Sequence, residues 1–88
     1  MTQNYMILDT KLSAQRLHAA IKNSGYSVAE LQKMLYLACP QPIYRWMHGA
    51  SVPSVDNLYR LSRILNVPME SLLVFEQVSI IDENSNKK

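Results

Sequence analysis

Apolar residues recur three and four apart along most of the chain. Leu17, Ala20 and Ile21 make one such set. Leu31, Met34 and Leu35 make a second, Ile43, Trp46 and Met47 a third, and Leu58, Leu61, Ile64 and Leu65 a fourth. This spacing places each set on one side of a helix. The residues between the sets are helix signals. Ser13 reads as the cap of a first helix over about Ala14–Asn23, and Gly25 as its left-handed end. Ser27, with Glu30 three residues on, forms a capping box that opens a second helix over about Val28–Tyr36. Pro40 suits the first position of a third helix, about Pro40–Met47, which Gly49 ends. Ser54 caps a fourth helix that runs to about Leu65, with Asn66 as its left-handed terminus. A fifth helix is expected from near Pro68, carrying Leu72 and Leu73.

The two ends follow another pattern. The first four residues are polar enough to be expected frayed. Tyr5 to Leu8 are too apolar for an idle tail and are expected to pack on the domain as an extended piece. Residues 74–81, Val-Phe-Glu-Gln-Val-Ser-Ile-Ile, favour a strand by composition. They would pair with Tyr5–Leu8 or lie against a second copy of the chain. Residues 82–88 are polar and charged, and a disordered tail is expected there. Strand-like alternation is otherwise almost absent, so the fold class is all-α: five helices, with a short ribbon of the two ends as an addition.

Composition narrows this further. The 88 residues suffice for one small domain, and 48% hydrophobic content argues for a packed core rather than disorder. A single cysteine, Cys39, excludes an internal disulfide and a cysteine-based zinc cluster. It sits near a helix start, where a thiol's pKa can fall, so a redox sensor and an inert half-buried thiol are the two readings. There is no apolar run of about 18 residues and no leader pattern, so a cytoplasmic protein without a membrane span is expected.

Net charge is only +2, but it is unevenly placed. Residues 10–63 carry Lys11, Arg16, Lys22, Lys33, Arg45, Arg60 and Arg63 against Glu30 and Asp56, a balance of +5. Residues 64–88 carry Lys87 and Lys88 against Glu70, Glu76, Asp82 and Glu83, a balance of −2. The basic part suits a surface that faces phosphates. Chemistry is not evident. There is no Ser/His/Asp order, no glycine-rich phosphate loop and no paired carboxylates near a histidine. His18 and His48 fall on different helices without a second metal ligand at suitable spacing. The chain is not expected to be an enzyme, to hold a cofactor or metal, or to take a small-molecule ligand.

The stretch 27–49 reads as two short helices joined by a tight turn, which must cross steeply. Ser27, Glu30, Leu31, Leu35, Leu37, Ile43, Trp46 and Gly49 stand in the order found in Cro/CI-type helix-turn-helix regulators. Pro53-Ser54, Leu58, Leu61, Leu65, Val67 and Leu72-Leu73 continue that order. The chain therefore resembles this family, also called XRE or lambda-repressor-like, over roughly residues 13–74. The resemblance implies an N-terminal arm over 1–12, a helix-turn-helix domain over 13–74 and an extension over 75–88. It implies binding of double-stranded DNA, with the third helix in the major groove, by a small bacterial or phage transcriptional regulator such as a repressor. A homodimer is a further expectation. The alternative is a protein-interaction module or antitoxin on the same scaffold.

The chain departs from the family at three places. The turn, Leu37 to Pro42, is one residue longer than usual, and Gln32 stands where Ala is common. Many members also pair an Arg late in the first helix with a Glu shortly before the glycine that ends the third. The matching positions here are Ile21 and Met47, and the two apolar residues are expected to be buried in contact.

Seven residues are candidates for DNA contact. Gln41, Tyr44, Arg45 and His48 project from the third helix opposite its apolar face. Gln can bond two edges of adenine and Arg two of guanine. Tyr44 offers a hydroxyl to phosphate or a flat face to a thymine methyl. Ser27 could add its hydroxyl where the start of the second helix faces a phosphate, and Lys33 projects from that helix. Ser51 is the remaining candidate, because the loop Ala50–Pro53 has no Lys or Arg to grip phosphate. An ordinary solvated surface is the plain alternative for each. Trp46 is read as core rather than as a base-stacking platform.

Overall fold

The computed structural model describes residues 2–81, with the backbone alone described at 2–4 and 79–81. The expected tail at 82–88 lies outside the described residues, as does Met1. In chain order the elements are strand β1 (Thr2–Leu8), helices α1 (Thr10–Ser24), α2 (Val28–Met34), α3 (Gln41–Met47) and α4 (Val55–Ile64), a 3₁₀ turn (Met69–Leu72) and strand β2 (Phe75–Ile81). The expected fifth helix is thus a single 3₁₀ turn. Four residues between Pro68 and an extended Leu73 leave no room for more.

The core is drawn from all four helices. Leu17 and Ile21 of α1, Leu31 of α2 and Leu35 at its end, Ile43 and Trp46 of α3, Leu58 and Leu61 of α4, Leu65 at its end, and Leu72 of the 3₁₀ turn form one buried cluster. Trp46 is 5% exposed, so its indole is a core group. Two expected members differ. Met34 is 38% exposed. It is the last residue of α2. Met47 packs against the cluster but is only half-buried, while Ile21 is fully buried.

Helix α1 begins four residues earlier than expected. Asp9, not Ser13, is its cap: the Asp9 carboxylate accepts from the Leu12 N–H at 2.9 Å. Ser13 is buried instead, and its hydroxyl accepts from the Val74 N–H at 2.8 Å. The Asp9 N–H donates to the Val74 carbonyl at 2.7 Å. Asp9 therefore caps the helix with its side chain and holds the far end of the chain with its backbone. Both polar groups of Val74 are satisfied where a buried backbone group would otherwise be costly.

Beyond that latch, β1 and β2 pair antiparallel, from Leu8 opposite Phe75 out to Thr2 opposite Ile81. The expected pairing of the two ends is present and longer than expected, since the residues read as frayed, Thr2–Asn4, belong to β1. Cross-strand partners share a face. Tyr5 with Val78 and Ile7 with Glu76 lie on one side, and Met6 with Gln77 and Leu8 with Phe75 on the other. The radius of gyration is 16.8 Å and the extents are 59 × 22 × 19 Å. A compact chain of this length would have a radius near 12 Å. The ribbon therefore projects from the helical body, with Tyr5, Met6, Ile7 and Phe75 exposed.

Candidate nucleic-acid interface

Helix α3 carries the candidate surface. Its buried residues are Ile43 and Trp46. Gln41, Tyr44, Arg45 and His48 lie at spacings of three and four, so they share one stripe. All four are exposed. The stripe stands on a rigid base, because the residues between its members are locked in the core. Pro40 precedes the helix and Pro42 lies in its first turn. Neither has an N–H, so the start of α3 has few backbone donors for a phosphate. What α3 offers a ligand is its side chains.

These side chains differ in freedom. Gln41 and Arg45 have long stems and planar polar ends suited to two-point recognition of base edges. The His48 Nδ1 lies 2.8 Å from the Tyr44 carbonyl oxygen. With the proton on Nδ1, the ring donates to that carbonyl and turns Nε2 outward. His48 is thereby pinned to its own helix end. Ala50 and Ser51 donate backbone N–H groups to the Arg45 carbonyl, at 2.9 and 3.4 Å, which closes α3 around Gly49 (φ 77°). Gly49 faces α1 closely: a β-carbon there would lie 3.5 Å from the Thr10 carbonyl oxygen. Ser51 is half-buried behind this closure.

Ser27 and Lys33 belong to α2 rather than to the stripe. The capping box is complete: the Ser27 hydroxyl accepts from the Glu30 N–H at 3.1 Å, and the Ser27 N–H donates to the Glu30 carboxylate at 2.8 Å. The Ser27 backbone bond, and after it the hydroxyl bond, hold the Glu30 carboxyl below its ordinary pKa. A carboxylate therefore already occupies the positive end of α2, where a phosphate would otherwise be favoured. This weakens the case for a phosphate held by Ser27. Lys33 is exposed on the last turn of α2. Gln32 is half-buried, and its amide donates to the Leu37 carbonyl at 3.3 Å. It helps fix the connection Leu35–Pro40 between α2 and α3.

Two cations of α4 are engaged within that helix. Arg60 pairs with Asp56 at 3.4 Å, and the Arg63 guanidinium lies 5.9 Å from the centre of the Tyr59 ring. The Ser54 hydroxyl donates to Asp56, and this bond chiefly lowers the Asp56 pKa. Among the described residues, no group of three or more His, Cys, Asp and Glu could hold a metal. No helix there is long and apolar enough to cross a membrane.

Four helices closed around an α2–turn–α3 unit define a helix-turn-helix fold. A solved structure shares it: the restriction-modification controller protein C.AhdI from Aeromonas hydrophila, with a TM-score of 0.64 and 22% identity. The likeness covers 73% of this chain and 96% of that one. At this identity it establishes the fold alone. No family model matches the chain, and no curated protein matches it.

Proposed function

We propose that the protein is a sequence-specific double-stranded DNA-binding regulator that lays α3 in the major groove. The observation that carries this is the exposed stripe Gln41, Tyr44, Arg45 and His48 on a short helix held from behind by Ile43 and Trp46. A groove-reading helix needs this arrangement: a rigid inner face and free polar ends outward. Support comes from the fold shared with a controller protein of restriction-modification and from the basic balance of residues 10–63. Gln41 and Arg45 read bases, while Tyr44 and Lys33 contact the backbone. Ser51, Ser27 and His48 are secondary contacts, each already committed to local structure. The protein works without cofactor or catalysis, in the cytoplasm, as a transcriptional regulator.

The exposed ribbon favours a second component. An isolated pair of strands is marginal in water, and both faces of this one present apolar side chains. A second copy of the chain would cover them and give a two-fold symmetric reader of paired half-sites. In the alternative reading, an antitoxin or protein-interaction module, the ribbon binds another protein. The uncharged loop Ala50–Pro53 favours that reading. Selection of bound duplexes from a random-sequence pool tests the main proposal. The expected result is enrichment of one motif, with affinity that falls steeply as salt rises. A pool that yields no motif favours the protein-binding alternative.

A further inference from the structure

Among the described residues, the backbone is left-handed at Gly25, Tyr36, Gly49 and Asn66, with φ of 82°, 56°, 77° and 58°. Three of these are glycine or asparagine, which reach that region at little cost. The fourth is a tyrosine. Its position is equivalent to two of the others. The Tyr36 N–H donates to the Lys33 carbonyl at 3.1 Å and the Leu37 N–H to the Gln32 carbonyl at 3.0 Å, the bond pair of a Schellman helix end. The same closure ends α3 at Gly49 and α4 at Asn66, where the following N–H groups donate to Arg45 and Ser62 at 2.9 and 3.0 Å. At the matching site in α2 the chain carries a residue whose β-carbon makes this backbone unfavourable.

The ring brings no compensating burial, since Tyr36 is 92% exposed. Glycine at 36 would relieve the backbone, and a polar residue would suit the water. Stability therefore does not account for the side chain, and strain of this kind points to function. Its place in the chain points to which. Between Glu30 and Asp56 the chain has no acidic residue, while Lys33 and Arg45 are both exposed. Tyr36 stands five residues before Gln41, on the connection that leads into α3. Chain that feeds a helix lying in a groove must cross the groove's rim, where the phosphates stand.

We infer that Tyr36 is a phosphate-contacting residue of the DNA interface, its phenolic hydroxyl donating to a backbone oxygen and fixing how α3 lies in the groove. This rests on the DNA-binding reading of α3. A phosphate contact positions the protein but carries no sequence information.

The test uses the full chain, a labelled duplex selected from a random pool with the wild-type protein, and a scrambled duplex of the same composition. Tyr36→Phe is expected to weaken binding to both duplexes by a common factor, roughly tenfold as for a hydrogen bond to a charged group, with Tm unchanged. Tyr36→Gly is expected to lose the same affinity while Tm rises by about 5 °C. Wild-type affinity in both variants would make Tyr36 a tolerated helix end and leave the DNA reading standing. A loss confined to the selected duplex would make it a base reader, which also overturns the inference. A wild-type protein that enriches no duplex removes the DNA reading itself, and this inference with it.

Discussion

Glu30 has two roles at one helix end. Its carboxylate closes the capping box with Ser27 and occupies the end of α2 where a phosphate could have bound. The two roles carry a pH signature. Hydrogen bonds from Ser27 lower the folded-state pKa below that of the unfolded chain. The stability this adds is fully present above the ordinary glutamate value, about 4.3. It is lost as pH falls through the lower folded value. Glu30→Gln keeps the cap's geometry without the charge. Wild type should therefore exceed this variant in Tm at neutral pH, and the difference should vanish in acid. A difference that stays constant down to pH 3 would assign the effect to packing instead. Glu30 is readable from the capping-box spacing alone, whereas its competition with an anion for the start of α2 appears only once both bonds of the box are seen. Tyr36 is not readable in this way. A helix pattern runs smoothly into it, and neither glycine nor asparagine marks the place where α2 turns left-handed.

Helices in this chain are legible because their apolar faces repeat at three and four residues, and the core is built from those faces. Their ends are less so. Ser13 has the composition of a cap and the right spacing from Leu17, but its hydroxyl is taken by Val74, 61 residues away. No local rule exposes a partner so distant. The fifth helix failed for a related reason: Leu72 is buried as a helix pattern requires, yet one 3₁₀ turn is enough to bury it. The ribbon was foreseeable from its Val, Phe and Ile content, whereas its length was not, because polar Thr2–Asn4 pair through backbone groups. For the interface, the stripe on α3 followed from helical period. The tie between His48 and the Tyr44 carbonyl depends on how the helix closes, which spacing does not reveal. The Ser13 latch makes a direct prediction. Ser13→Ala should strand the Val74 N–H and cost about 1–3 kcal/mol. Urea unfolding gives the loss, and hydrogen exchange should show faster opening of the Val74 amide. Unchanged exchange there would mean that Asp9 alone holds the ribbon.

At the scale of the whole molecule, the proposal gives the helical body and the projecting ribbon separate tasks. The ribbon leaves Met6 on one face and Ile7 on the other, 72% and 50% exposed. If a second copy covers them, sedimentation of the wild-type chain should move toward dimer as concentration rises, and Met6→Lys with Ile7→Lys should return it to monomer. A wild type that stays monomeric at every concentration would leave the ribbon to another partner. The helical body would then meet DNA as a single reader of a short site. On the proposed reading the outward stripe of α3 recognises base edges, and one titration tests this: binding of a selected duplex, at several salt concentrations, by wild type, Gln41→Ala and Arg45→Ala. Each variant should keep the wild-type Tm and lose about 1–3 kcal/mol of affinity for the selected duplex. Its loss on a scrambled duplex should be smaller. Wild-type affinity for the selected duplex in both variants would contradict the account, because α3 would then not be the element that reads DNA.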